Sequence, residues 1–156
     1  MSARAWREAA IQAGERFEVA VVTVFLATPV HLREILHGLN WKLHEVQGTA
    51  AVARFLSERR APVVLCHASF EGGTWRDLVD CISGLECPPR LVVTSEWADD
   101  YLWAEVLNLG GYDVLAQPFS EPEVVRTLTS ALWHWTDEAA HRRGAPARLN
   151  YLPEEL

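Results

Sequence analysis

At 156 residues the chain has the length of one globular domain, and 49% apolar with 22% charged residues is enough to bury a core. Lys and Arg number 14 against 21 Asp and Glu, so the formal charge is −7, which argues against nucleic acid or anionic lipid as the main partner. The apolar stretch from Val19 to Ala27 is far shorter than the about 20 residues of a membrane-crossing helix. Arg4, Arg7 and Glu8 break up any leader-like start. Cys66, Cys81 and Cys87 lack metal-ligand spacing and suit a reducing interior, so the cytoplasm is the expected compartment.

Trp6, Ala10, Ala13 and Phe17 recur at helical spacing and predict an amphipathic helix over 3–17. A β-branched run, Val19 to Phe25, reads as a strand. It ends at Thr28-Pro29, where Thr28 is expected to cap a helix that closes at Asn40. A short extended segment, Trp41 to Val46, precedes a helix over 49–58. Pro62 to Cys66 is an uninterrupted apolar strand of the kind buried on both faces of a parallel sheet. A loop containing Gly72-Gly73 leads into a helix over 74–83. Leu91 to Val93 is another buried strand ending at Thr94-Ser95, and the next helix, over 99–109, stops at Gly110-Gly111 through a left-handed cap. A last short strand, Asp113 to Ala116, precedes Gln117-Pro118-Phe119. Ser120 and Glu123 form a capping-box pattern for a helix expected to end near Trp135, with a polar tail beyond.

Five strands alternating with five helices predict a doubly wound α/β domain with a parallel sheet and right-handed crossovers. Its pocket then lies at the carboxyl ends of the strands, among Leu26, Ala27, His67, Thr94, Ser95 and Gln117.

The segment Gly110-Gly111-Tyr112-Asp113-Val114-Leu115-Ala116-Gln117-Pro118-Phe119 is similar to the ending of response-regulator receiver domains, in which Gly-Ala-Asp-Asp-Tyr is followed by Lys-Pro-Phe. Ala61 to His67, continuing to Gly72-Gly73, resembles that family's Pro-Asp-Leu-Val-Leu-Leu-Asp segment and its glycine. Leu91 to Ser95 resembles the strand that ends in Thr or Ser plus a small residue. The resemblance covers about residues 20–135. It implies a flavodoxin-like, five-stranded receiver over 19–136, with an extra N-terminal helix in 1–18 and a C-terminal tail over 137–156.

The resemblance also assigns the chemical positions, and this chain departs from it there. Leu26 and Ala27 stand where the family has the acidic pair that holds Mg²⁺. His67 stands at the phosphoacceptor aspartate and Gln117 at the lysine, and only Thr94 keeps the family's hydroxyl. Val114 falls at the aromatic switch position. Mg²⁺ requires oxygen ligands and usually a carboxylate, and phosphoryl transfer needs its charge offset. Side chains at Leu26, Ala27 and His67 supply no carboxylate, and Gln117 brings no positive charge. Neither aspartyl phosphorylation nor a bound metal or cofactor is therefore expected.

Glu71 and Glu96, on loops near the pocket mouth, read as solvated acids. Cys66 and His67 are strand neighbours that face opposite sides, which separates the thiol from the imidazole. Thr94 or Ser95 with His67 lacks an orienting acid in the aligned pocket, so no hydrolase or other enzyme is expected. No Gly-x-Ser-x-Gly elbow or phosphate-binding glycine loop occurs.

Surfaces are left to carry function. Interfaces favour Trp, and the chain has seven. Trp97, Tyr101, Trp103, Trp133 and Trp135 are interface candidates. Tyr101 and Trp103 are two apart on one helix, as are Trp133 and Trp135, so one member of each pair should be exposed or covered from outside the repeated units. Trp97 and Tyr101 share a helical face if that helix starts early enough. After Trp135 too few residues follow for a DNA-binding output domain. His141-Arg142-Arg143 with Arg148 reads as a solvated basic cluster. The expected function is that of a stand-alone degenerate receiver that contacts a protein partner or a second copy as a homodimer, independently of phosphorylation. The alternative is a small-ligand or anion sensor using His67, Thr94 and Gln117.

Overall fold

The computed structural model describes residues 20–142. The predicted N-terminal helix, with Trp6, Ala10, Ala13 and Phe17, lies outside the described residues, as does the tail from 143 onward.

The main sheet has five strands, all parallel: β1 (Ala20–Val24), β2 (Lys42–Glu45), β3 (Val63–His67), β6 (Arg90–Ser95) and β7 (Asp113–Ala116), in the spatial order β2-β1-β3-β6-β7. The two between β3 and β6 in chain order are short: β4 (Ser69–Phe70) and β5 (Gly73–Thr74) pair as an antiparallel hairpin outside that sheet. The glycine-bearing loop of the sequence is this hairpin, and its turn places Gly72 at φ +90°, a conformation side-chain-bearing residues avoid.

The central strands are apolar runs because helices cover both faces. On β3, Val63 and Leu65 point to one side and Val64 and Cys66 to the other, the two-residue alternation of any strand. The first side packs against α1 (Val30–Gly38), through Leu32, Ile35 and Leu36, and against α5 (Glu121–Arg142), through Leu128 and Leu132. The second side packs against α2 (Thr49–Glu58), α3 (Trp75–Ser83) and α4 (Asp100–Asn108), through Val52, Leu78 and Val106.

Helix ends follow local chemistry, with two departures from expectation. Asp99 caps α4 by accepting from the Leu102 N–H at 2.8 Å, and the Asp77 carboxylate takes the Thr74 N–H at 2.8 Å where α3 begins. The helix α4 gives way to Gly110 at φ +107°, as the left-handed cap required. Thr28, by contrast, does not cap α1, whose N-cap is Pro29. Its hydroxyl is buried against that of Thr23 at 3.0 Å, a stronger demand than an exposed helix end makes. The helix α5 also does not stop near Trp135: it continues to Arg142. No Gly or Pro occurs between Trp135 and Arg142, Ala139 is buried, and Glu138 pairs with Arg90 at 2.5 Å, so the extra turns are anchored to the sheet.

Candidate functional site: the strand-end pocket and the α4 surface

The register of β3 against β6 sets His67 beside Thr94, and the Ala68 N–H donates to the Thr94 carbonyl at 2.9 Å. His67 has the parity of Val63 and Leu65, so its ring lies toward Phe25, with centroids 6.2 Å apart, while the buried Cys66 faces the opposite core. Burial pushes the Cys66 thiol well above its usual range, which leaves it unreactive.

Both ring nitrogens of His67 are engaged. Nδ1 lies 2.8 Å from the Ser69 carbonyl, and Nε2 lies 3.1 and 3.3 Å from the Glu96 carboxylate. The Ser69 N–H, 3.4 Å from Nδ1, is the weaker contact. Two acceptors thus face the ring, one at each nitrogen. The Glu96 carboxyl is held below its usual range, first by a backbone N–H of its own residue and then by His67.

Glu96 is thus not simply a solvated loop acid: its carboxylate, though partly exposed, is the partner of His67. Glu71 is exposed on the hairpin turn. A carboxylate therefore does reach His67, yet no nucleophile follows from it. The Ser95 hydroxyl accepts from the Trp97 N–H at 3.0 Å and holds the turn, and the buried Thr94 hydroxyl has no hydrogen-bond partner among the described residues. With both imidazole nitrogens occupied, neither hydroxyl has a base in contact.

The remaining pocket positions divide. Gln117, held through its N–H to the Ser95 carbonyl at 3.0 Å, precedes a cis bond to Pro118, and its Oε1 is buried without a partner among the described residues. Leu26 was expected among the pocket residues, but it is 74% exposed, and Ala27 is exposed beside it. The chain turns outward after Phe25, the last residue of that stretch with its side chain in the core. Val114 is buried in β7. Among the described residues no group of three or more His, Cys, Asp or Glu is placed to hold a metal ion, and no helix is long and apolar enough to cross a membrane.

The interface candidates separate just as clearly. Trp97 is 83% exposed, Tyr101 77% and Trp103 49%. Trp97 lies before the N-cap of α4, so it does not share a helical face with Tyr101. Trp103 leans over the edge strand, its Nε1–H donating to Asp113 at 3.1 Å. Trp135 is buried, whereas Trp133 packs partly against the core and is half-buried.

No family profile matches the chain, and no curated protein matches it. Solved structures do. The signal receiver domain of an HD domain-containing protein from Pseudomonas fluorescens Pf-5 superposes with a TM-score of 0.69 at 21% identity, covering 78% of this chain and 92% of its own. The chemotaxis response regulator CheY4 of Vibrio cholerae gives 0.62 at 13%, covering 74% and 99%. The beryllofluoride-activated NtrC4 receiver domain dimer gives 0.67 at 17%, covering 74% and 98%. The fold is that of response-regulator receiver domains. The doubly wound five-stranded architecture read from the sequence is the one observed.

Proposed function

We propose that the chain is a receiver-type signalling module of a two-component pathway, working in the cytoplasm through protein contacts and without aspartyl phosphate. The observation that carries this is the His67–Glu96 pair at the position where the resemblance puts the phosphoacceptor. Phosphoryl transfer needs a carboxylate nucleophile, a seated cation and a second positive group around the transferring oxygens. Here the acceptor position holds a ring already bonded on both nitrogens. The aligned cation ligands are an exposed Leu26 and Ala27, and Gln117 is uncharged. What the surface does offer is aromatic side chains on and beside α4, suited to a protein partner. The test is incubation with acetyl phosphate and Mg²⁺ followed by intact mass. An unchanged mass is expected, and a stable gain of one phosphoryl group in this pocket overturns the proposal.

One observation favours a second reading, a small-ligand sensor. Among the described residues the Thr94 hydroxyl and Gln117 Oε1 are both buried without partners at neighbouring strand ends, and buried polar atoms ordinarily find one. A rise in melting temperature with ammonium, acetate or phosphate, abolished by Thr94→Val, supports it. No shift with any of the three removes it.

A further inference from the structure

We propose that the α4–β7 edge of the molecule is a docking surface for a cationic polypeptide segment, one that carries arginine or lysine among apolar side chains. This rests on the protein-contact reading above and names the partner's chemistry.

Two features coincide on this edge. The first is exposed apolar surface in a fixed orientation. Asp100, Trp103 and Leu107 stand at i, i+3 and i+7 of α4 and so share one flank of the helix. The Trp103–Asp113 hydrogen bond ties that flank to β7, which among the described residues is an edge strand paired with β6 alone. The second is charge. From Leu91 to Val125, a stretch that includes α4 and β7, the sequence has seven acidic residues and no Lys, Arg or His. Arg76 of α3 pairs with Glu105 on the helix's other flank. Arg126 on α5 is the first base after the stretch.

An aromatic stripe in an acidic field selects its occupant. Nucleic acid and anionic lipid are repelled. A second copy docking through the same edge brings acid against acid, which costs specificity and association rate. A guanidinium or ammonium group gains on both counts: it stacks on the Trp103 ring and is attracted by the acidic field around Asp100.

The test uses the full chain and two synthetic amphipathic peptides, one of leucine, alanine and arginine and one with glutamate in place of every arginine, titrated by calorimetry. The arginine peptide is expected to bind and the glutamate peptide not. Binding should weaken at least about threefold between about 0.05 M and about 0.3 M salt. Trp103→Ala should weaken it at least about fivefold. Asp100→Asn, on an exposed carboxylate, should also weaken it, whereas Glu34→Gln at an exposed position of α1 removes the same charge elsewhere and should leave it unchanged. Equal effects of Asp100→Asn and Glu34→Gln overturn the proposal, as do equal binding of both peptides and no binding of either. A dimer seen by sedimentation that Trp103→Ala dissociates also overturns it, by making the occupant a second copy. A negative peptide result with an unchanged mass in the phosphorylation test sinks this inference and leaves the broader proposal standing.

Discussion

His67 Nε2 and the Glu96 carboxylate meet at 3.1 Å across the ends of two adjacent parallel strands, 29 residues apart in sequence. The contact fastens the residue just before the exposed Trp97 to the centre of the sheet. Glu96 titrates below its ordinary value of 4.5 in the folded chain, so the stability it contributes is fully present above that value and is lost as pH falls through the lowered one. Glu96→Gln should therefore lower the melting temperature at about pH 6, and the gap to the unsubstituted chain should narrow as pH falls toward about 3. Thermal melts at the two pH values check this. Identical melts at both, or a gap that persists in acid, would contradict the pairing.

If the missing charges are the reason for chemical silence, supplying them should restore it. His67→Asp alone provides an acceptor but no cation seat, and acetyl phosphate with Mg²⁺ should still leave its mass unchanged. Adding Leu26→Asp, Ala27→Asp and Gln117→Lys returns the carboxylates and the ammonium group to strand ends whose backbone already has receiver geometry. The fourfold variant should gain one phosphoryl group in a Mg²⁺-dependent manner. Modification of His67→Asp on its own would show that the electrostatic deficit is not what silences the site.

Thr28 links the core to the sheet's edge. Its hydroxyl meets that of the buried Thr23 at 3.0 Å and, ahead of the Arg33 guanidinium, holds the Glu45 carboxyl below its usual range. Thr28→Val leaves the Thr23 hydroxyl buried and unpaired, at a cost of about 1–3 kcal/mol. The same substitution should move the Glu45 carboxyl up toward 4.5, so less stability is lost on acidification below that value. Denaturant melts at neutral pH and an NMR titration of Glu45 read the two effects. A substitution that shifts neither would show that the hydroxyl relay is not formed.

The strands were legible because β1, β3 and β6 are covered on both faces, and such strands must be continuous apolar runs. The helices were legible through their spacing and end residues, Asp99 and Gly110 most clearly. Two-residue strands carry no periodicity, which hid the β4–β5 hairpin, and nothing in the local chain announced that Ala139 and Glu138 would anchor extra turns of α5. At the site, His67, Thr94 and Gln117 could be placed from strand ends alone. The role of Glu96 could not, since it depends on the β3–β6 register. The exposure of Leu26 was equally hidden, because sequence marks the end of a strand but not the direction the following loop takes.

Gly111 and Gly84 look interchangeable in the sequence, one after α4 and the other after α3, but they should respond oppositely to alanine. A Cβ at Gly111 would sit 2.3 Å from Val106 Cγ1 and 3.0 Å from the Val106 carbonyl, which also accepts the Gly111 N–H at 2.8 Å. Val106 is fully buried and has no room to yield, so Gly111→Ala should destabilise by about 1–3 kcal/mol through overpacking. Gly84 has φ −87° and nothing within 4 Å of an added Cβ. Alanine there restricts the unfolded chain without native strain, and Gly84→Ala should be neutral or stabilising by up to about 1 kcal/mol. Paired denaturant melts decide the matter. If the two variants lose stability equally, the close approach of the α4–β7 turn to Val106 is not what requires glycine at position 111.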